Sequence, residues 1–462
     1  MTTLPAAGAI PRAAGRLAQP RSWPISPADI GLVLVANGII VAGMWVRHGG
    51  LDLLGSLAGM ATGVGQVTAL LGTYVALVGI LLMARVPAID HVVGTDRLTA
   101  WHRWIGFATL WLLLAHFAFT TIGWALDRGQ TVVDELLDLL SIWDVLIATV
   151  GLGMLVLVAV TSIRYARRRL AHETWYGLHL YAYLGVALAF LHQVTIGTDL
   201  VADPLALWYW VALYVVTFGL LIGFRVLAPI RLSRRHRLRV VRVAREAPDV
   251  VSIYLAGLHM EQLPVRAGQF FHVRFLTGGG WWRPHPFSIS AAPNGTWLRM
   301  TIKDLGDDTH RMLSMPVGVP VFIEGPYGAF TTALIRRPRV VMLAGGIGVT
   351  PLRAMLEELP PSAGTVTFLY RAGAPEEVVF RAELTALAKS RGADVRFLVG
   401  HRGSVQMPVD PLAPGPLQQL VPDIARADIL ICGSRPFTER TLESLRSLGV
   451  PASQVHAERF GY

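Results

Sequence analysis

Six apolar runs follow one another between residues 28 and 228, at about Ile30 to Val46, Val67 to Met83, Trp104 to Ile122, Val145 to Ile163, Leu178 to Val194 and Leu205 to Leu227. About 20 apolar residues in a helix cross a hydrocarbon core. In lipid, a backbone satisfies its own hydrogen bonds only as a helix or a closed barrel. The runs therefore predict a six-helix transmembrane bundle over 28–228. The whole chain is 53% hydrophobic and 16% charged, too apolar for a wholly soluble protein. Residues 1–27 are rich in Pro, Ala and Arg and read as a flexible tail. The first run is long for a signal-peptide core and no small-residue cleavage pattern follows it, so it reads as a span.

Net charge is +10, which in a soluble chain would suggest nucleic acid. Here the arginines gather at the ends of the apolar runs instead, so nucleic-acid binding is not expected. Arg85, Arg97 and Arg103 lie between the second and third runs, and Arg164, Arg167, Arg168 and Arg169 precede the fifth. Arg225 closes the sixth, and Arg231, Arg234, Arg235 and Arg237 follow it. The alternate loops carry Asp127, Asp134, Glu135 and Asp138, then Asp199 and Asp203. The positive-inside bias places both termini in the cytoplasm. With one cysteine, Cys432, there is no intrachain disulfide, cysteine-ligated iron–sulfur cluster or structural zinc site. Any electron carrier is then flavin or haem.

Beyond the last run the pattern changes period. Leu238–Val243, Val250–Leu255, Phe270–Phe275, Pro286–Ser290 and Leu298–Ile302 are short strand-like segments between turn residues, predicting a small antiparallel β-barrel over 229–335. Strand-then-helix repeats follow over 336–462, with Val340–Ala344, Val366–Tyr370, Val395–Val399 and Ile429–Cys432 as parallel strands of an α/β domain.

His102 and His116 bracket the third run, and His179 and His192 the fifth. One intramembrane histidine can be a helix-packing hydrogen-bonder. Two pairs at spacings of 14 and 13 residues, about 20 Å along a helix, suit one metal group near each membrane face. Imidazole is an apt axial ligand for haem iron, and two per haem close the coordination shell. The third and fifth helices run in the same direction, so His102 pairs with His179 near the cytoplasm and His116 with His192 on the far side. Fourteen residues fall about 40° short of whole turns but thirteen about 140° short, so the fifth helix needs a bulge or rotation to aim both rings inward. His172 is a substitute ligand by position, but its neighbours Arg169 and Glu173 favour a solvated role.

His285, Pro286, Phe287, Ser288 and Ser290 combine an aromatic with hydroxyl donors, as a flavin ring and its phosphates require. Lys303, Gly306 and Thr309 at a helix start, then Gly325, Tyr327 and Gly328, offer a cation, a helix N-terminus and a glycine turn to a pyrophosphate. A plain β-barrel with tight turns is the alternative. Gly345, Gly346, Gly348, Thr350 and Pro351 end a strand and open a helix, where glycine lets phosphate approach the backbone. Cys432, Gly433, Arg435 and Pro436 end another parallel strand, where ligand loops converge. Cys432 is there a candidate nicotinamide contact, or else a buried hydrophobe. Arg371 is a candidate for the 2'-phosphate of NADPH, or else a solvated arginine.

The paired histidines with the HPFSIS, GPYG, GGIGVTP and CGSRPF segments resemble the NADPH oxidase and ferric reductase superfamily along almost the whole chain from residue 28. The resemblance implies a multi-pass protein of a bacterial-type cell membrane with FAD, NADPH and two haem b. FAD would be held by His285 to Ser288, NADPH by Gly345 to Pro351 and Cys432 to Pro436, and the flavin covered by Phe460. It implies electron transfer from NADPH through FAD and the haems to oxygen, giving superoxide, or to ferric chelates. Regulated relatives carry a calcium-binding EF-hand or a long partner-binding extension. This chain has neither, so no activating protein partner is expected. Some oxidases of the family carry a second histidine one turn after the third-helix ligand. Thr120 stands there instead, which counts against oxygen as sole acceptor. A different class of reading is a haem-binding electron-transfer module that serves a membrane or periplasmic partner protein.

The four histidines predict two bis-histidine haems per chain. Pyridine haemochrome quantitation of fully loaded protein should give two, and a value of zero or one overturns the reading.

Overall fold

The computed structural model describes residues 26–170, 172–278, 281–360, 365–401, 403–404 and 407–460. Most of the expected N-terminal tail lies outside them, as does the side chain of His172. The chain divides into two compact units that meet at Leu227 and Ala228.

Six helices of the first unit are long and apolar enough to cross a membrane. The first, Pro27–Arg47, begins with a capping box in which Ser26 and Asp29 each accept a hydrogen bond from the other's backbone amide. The second, Leu57–Met83, is capped by Ser56, whose hydroxyl accepts from the amide of Gly59 at 3.0 Å. It starts ten residues before the apolar run suggests, because the glycines and threonines of its first turns dilute the hydropathy. The third, Thr95–Arg128, stops at Gly129 in the left-handed conformation. The amphipathic helix Val132–Ser141 separates it from the fourth span, Trp143–Ser162. The fifth comes in two pieces, His172–Leu188 and Phe190–Thr195, and the sixth is Pro204–Ile222.

The second span is the centre of this unit: half of its most apolar window is buried, against 11–17% in the others. The outward residues of the others, such as Leu32, Trp104, Trp111 and Val215, form the apolar exterior that a lipid solvent requires. Small residues set the close contacts. A Cβ on Gly151 of the fourth span would lie 2.6 Å from the carbonyl oxygen of Gly185 on the fifth, and one on Gly185 would lie 2.8 Å from that of Gly151.

The second unit holds three sheets. Strands β1 (Arg239–Ala247), β2 (Val250–Ala256) and β5 (Leu298–Lys303) form one antiparallel sheet in the order β1-β2-β5. Strands β3 (Phe270–Phe275), β4 (His285–Ser288) and β6 (Val321–Tyr327) form another in the order β4-β3-β6. Ile253, Leu255, Phe271, Val273, Met300 and Ile323 alternate inward to fill a common core, as half-buried strands require. A parallel sheet of β7 (Arg339–Gly345), β8 (Thr365–Ala372), β9 (Asp394–Val399), β10 (Asp428–Ser434) and β11 (Val455–Phe460) follows, in the order β11-β10-β7-β8-β9. The order reverses between β7 and β10, which makes the crevice at their C-terminal ends the expected ligand position for an open α/β sheet. Two strands escape the sequence reading. β6 ends in the Gly-Pro-Tyr that reads as a turn, and β11 breaks its apolar alternation with His456, Glu458 and Arg459.

Gly151→Leu is expected to destabilise the membrane unit by about 1–3 kcal/mol through overpacking. Gly153→Leu on the same helix is the control, since a Cβ there meets nothing within 4 Å. Thermal unfolding of the solubilised protein should fall for the first variant only.

Candidate functional site

The second and third spans run antiparallel, and glycines at positions 65, 72 and 79 of the second face the third closely enough that a Cβ on Gly65 would sit 2.4 Å from Thr120 Oγ1. This closeness lets backbone oxygens reach imidazoles. His102 Nδ1 lies 3.1 Å from the Gly79 carbonyl, and His116 Nδ1 lies 3.0 Å from that of Gly65. A carbonyl only accepts, so Nδ1 is the protonated nitrogen in both rings and Nε2 keeps its lone pair. The 14-residue spacing of the glycines repeats that of the histidines, a match visible in the sequence once the two helices are known to be neighbours.

The fifth span brings the partners. The ring centroids of His102 and His179 are 5.9 Å apart, and those of His116 and His192 are 6.3 Å apart. The helical irregularity at Ala189 falls between His179 and His192, where their 13-residue spacing calls for one. Two metal–imidazole bonds of about 2 Å each would put facing ring centroids roughly 6 Å apart. Among the described residues no group of three or more His, Cys, Asp or Glu is placed to hold a bare ion. Pairs suit a metal that brings its own equatorial donors, as haem does. A cavity lies beside the second pair, lined by His116, His192, Leu113, Phe117, Leu152 and Tyr214 among others, with no Asp, Glu, Lys or Arg in its described lining. Such a wall fits an apolar macrocycle. His192 Nδ1 is buried without a hydrogen-bond partner among the described residues.

Each pair has its own supports. Trp175 stacks on His179 at 5.0 Å and donates to Ser162 Oγ at 3.3 Å. Beside His192, Gln193 accepts from Trp210 Nε1 at 2.7 Å and from the Tyr214 hydroxyl at 3.1 Å. Thr120 Oγ1 stands 3.1 Å from His116 Nδ1 and lines the cavity. Gln193, Gly65 and Gly79 are positioning groups the sequence reading did not single out.

In the second unit the flavin motif forms β4, and His285 and Phe287 stack with centroids 6.0 Å apart. Ser288 is nearly buried at the end of the strand. Ser290 follows two residues beyond the strand. It is fully buried, and its hydroxyl shares hydrogen bonds with Thr301 Oγ1 at 2.7 Å and Arg299 Nε at 3.1 Å. Lys303 pairs with Asp249 at 3.4 Å. Gly306, at φ +153°, precedes the short helix Asp307–Met312, where the Thr309 hydroxyl accepts from the Leu305 amide at 2.8 Å. Gly325 and Gly328 take positive φ on either side of the buried Tyr327.

The glycine turn after β7 and the end of β10 pack into each other. A Cβ on Gly348 would lie 2.2 Å from the Cys432 carbonyl, and one on Gly345 would lie 2.7 Å from the Phe437 ring. No larger residue fits at either position without moving backbone or ring. Thr350 and Pro351 are buried in the first turn of the helix Val349–Glu358, and Arg435 is exposed and paired with Glu439 at 2.7 Å. Arg371 has a buried side chain whose Nη1 donates to the Leu398 carbonyl at 3.1 Å and to the Ala372 carbonyl.

Cys432 is fully buried opposite Glu458 in the β10–β11 register, and Phe460 opposes Ser434 two residues on. Burial, helped by the Glu458 carboxylate, pushes the thiol well above its ordinary range. Glu458 joins the candidate site because β11 joins the sheet, which the sequence reading missed. Phe460 is half-buried at the strand's end.

Residues 68–190 match the model of the ferric reductase like transmembrane component, and residues 235–331 match that of an FAD-binding domain. The chain has the architecture of the NADPH oxidase and ferric reductase superfamily. The first match contains His102, His116 and His179 and ends two residues before His192, while the second contains the whole flavin motif. A flavohemoprotein of Chromobacterium violaceum is 31% identical over 245 residues, 48% of this chain and 60% of that one. The glycine betaine monooxygenase reductase subunit of Chromohalobacter salexigens is 30% identical over 244 residues, 49% of this chain and 64% of that one. The chain thus spans less than two thirds of the length of these relatives. The FAD/NAD binding domain of a nitric oxide dioxygenase from Vibrio cholerae is 24% identical, covers 50% of this chain and 100% of its own, and superposes with a TM-score of 0.39.

Only the thiolate alkylates readily, and a free cysteine is half ionised at about pH 8.5. Because the Cys432 pKa is raised, the native thiol stays protonated through that pH. Iodoacetamide should leave the folded protein unlabelled at about pH 8.5 and label it fully after denaturation. Rapid native labelling would show that Cys432 is neither sealed nor shifted.

Proposed function

We propose that this protein is an NADPH-dependent transmembrane oxidoreductase that passes electrons from NADPH, through FAD and two bis-histidine haems, to an acceptor on the opposite membrane face. The observation that carries the reading is the pair of facing imidazole couples at 5.9 and 6.3 Å, set 14 residues apart on the third span of a chain that also carries an FAD-binding domain. His102 with His179, and His116 with His192, would hold the haems. The β4 segment with the Gly325–Gly328 and Gly306–Thr309 turns would hold FAD, and the Gly345–Pro351 turn with Cys432–Pro436 would hold the nucleotide. Bound FAD supplies the change from two-electron hydride to single-electron chemistry, and haem iron supplies one-electron carriage.

The chain's own residues orient and insulate. Gly65 and Gly79 fix the tautomers of His116 and His102, so both present Nε2 to a ligand. Buried Cys432 stays a neutral thiol and puts no charge beside the nicotinamide position, with Glu458 and Phe460 completing that edge. In this reading the arginine-rich loops are cytoplasmic, so His102, His179 and the reductase module would be inside and His116 and His192 outside. Oxygen and ferric chelates are the proposed acceptors. Thr120, on His116 Nδ1 where some oxidases of the family carry histidine, favours keeping ferric chelates or a partner protein beside oxygen.

His192→Leu should abolish delivery to an external acceptor while NADPH still reduces the remaining haem without oxygen. His179→Leu should remove fast reduction of the outer haem. Stopped-flow spectra of the two folded variants, each retaining one haem, decide the matter. The reverse pattern would invert the orientation of the membrane unit.

A further inference from the structure

Ser290 belongs to a buried ionic cluster that joins the antiparallel and parallel parts of the second unit. Arg299 of β5, 3% exposed at its side chain, donates two parallel bonds to Glu383 at 2.8 and 2.9 Å. Glu383 stands on the helix Arg381–Arg391 of the parallel-sheet part. Arg353, on the helix Val349–Glu358, reaches the same carboxylate at 2.9 Å and is itself 6% exposed. Both guanidiniums also donate to the Ser290 carbonyl, Arg299 at 2.7 Å and Arg353 at 3.3 Å. Glu357 pairs with Arg353 and accepts from the Ala292 amide at 2.7 Å. The next residue, Glu358, accepts from the Ala267 amide at 3.1 Å and the Thr332 hydroxyl at 2.6 Å. Phe380, just before the Glu383 helix, is held at φ +60° with the Arg299 guanidinium 4.5 Å from its ring centre, a conformation that persists in a non-glycine residue only where its surroundings over-determine it.

The geometry follows one rigid line. The helix Val349–Glu358 opens directly after the glycine turn Gly346–Gly348, and one turn later its Arg353 is fastened to Ser290, two residues beyond the His285–Ser288 strand. A cluster with two guanidiniums and two carboxylates is balanced in charge, and the Arg299–Glu383 fork fixes angle as well as distance. Buried ion pairs add little net stability over apolar packing, but their directional demands can hold register.

We propose that Arg299, Arg353 and Glu383 form a positioning clasp that sets the nicotinamide carrier over the flavin for hydride transfer. The proposal rests on the reading that NADPH reduces FAD in this module. None of the three residues need touch either cofactor. Their part is to hold the glycine turn and the flavin strand in one alignment, since a displacement of about 1 Å can cost about a hundred-fold in rate.

The test uses full-length, FAD-loaded protein mixed anaerobically with NADPH in a stopped-flow instrument. It compares wild type with Glu383→Gln and Arg353→Lys. The clasp predicts normal FAD content and NADPH affinity, flavin reduction slowed by about ten- to a hundred-fold, and a weakened long-wavelength charge-transfer band between nicotinamide and flavin. A wild-type rate and band in Glu383→Gln would overturn it. If wild type itself shows no flavin reduction by NADPH, the underlying reading falls instead. Should Glu383→Gln lose its FAD, Glu383→Asp, which keeps the charge but draws it back by one methylene, carries the test. Slow reduction with unaltered NADPH affinity there supports the clasp, and wild-type behaviour refutes it.

Discussion

A ring nitrogen of an imidazole in a hydrocarbon interior is costly to leave without a partner, because water is not there to serve as one. In this protein the backbone provides half the answer. Gly79 and Gly65 offer their carbonyls to His102 and His116 only because glycine lets the second and third spans approach to the point where a side chain would collide with Thr120. The other nitrogen is thereby left with its lone pair free for a ligand. The central burial of the second helix, the break at Ala189 and the small-residue contact between the fourth and fifth spans all serve this arrangement of facing rings.

The second unit solves an analogous problem in water. Two cofactor-sized ligands must be presented to each other by separate sheets, so the connection between the sheets has to be stiff in angle. An apolar interface alone would permit sliding. The buried arginines and glutamates at Ser290 impose direction, and through Arg353 they hold the helix whose start is the glycine turn. Stability and alignment are therefore assigned to different groups: the aliphatic residues of the sheets fill the cores, and the ionic cluster sets the geometry.

Much of this was legible from residue patterns, for identifiable reasons. Lipid imposes a coarse rule on composition, so the six spans and the histidine pairing could be read from run length and spacing. The glycine turns stand out in the sequence because close backbone approach requires that residue type, and at Gly345 and Gly348 the approach is to Phe437 and Cys432. What stayed hidden depended on tertiary neighbours. Strand β11 has too many charged residues to announce itself, and with it Glu458 was lost. Ser290 looks like any hydroxyl beside a flavin motif until Arg299 and Thr301 are seen around it. Arg371 has the right chemistry for a phosphate, but its guanidinium is turned to the carbonyls of its own and the neighbouring strand.

The matched spacing of Gly65 with Gly79 and of His116 with His102 ties the two helices together like teeth on facing racks. One residue inserted between the two glycines would turn one of them by about 100° and shift it by about 1.5 Å along the axis. One histidine would keep its carbonyl partner while the other lost it. The spacing across this stretch is thus more tightly constrained than its composition, and a point substitution at one of its half-buried positions, such as Leu71 or Val75, is far better tolerated than any insertion or deletion.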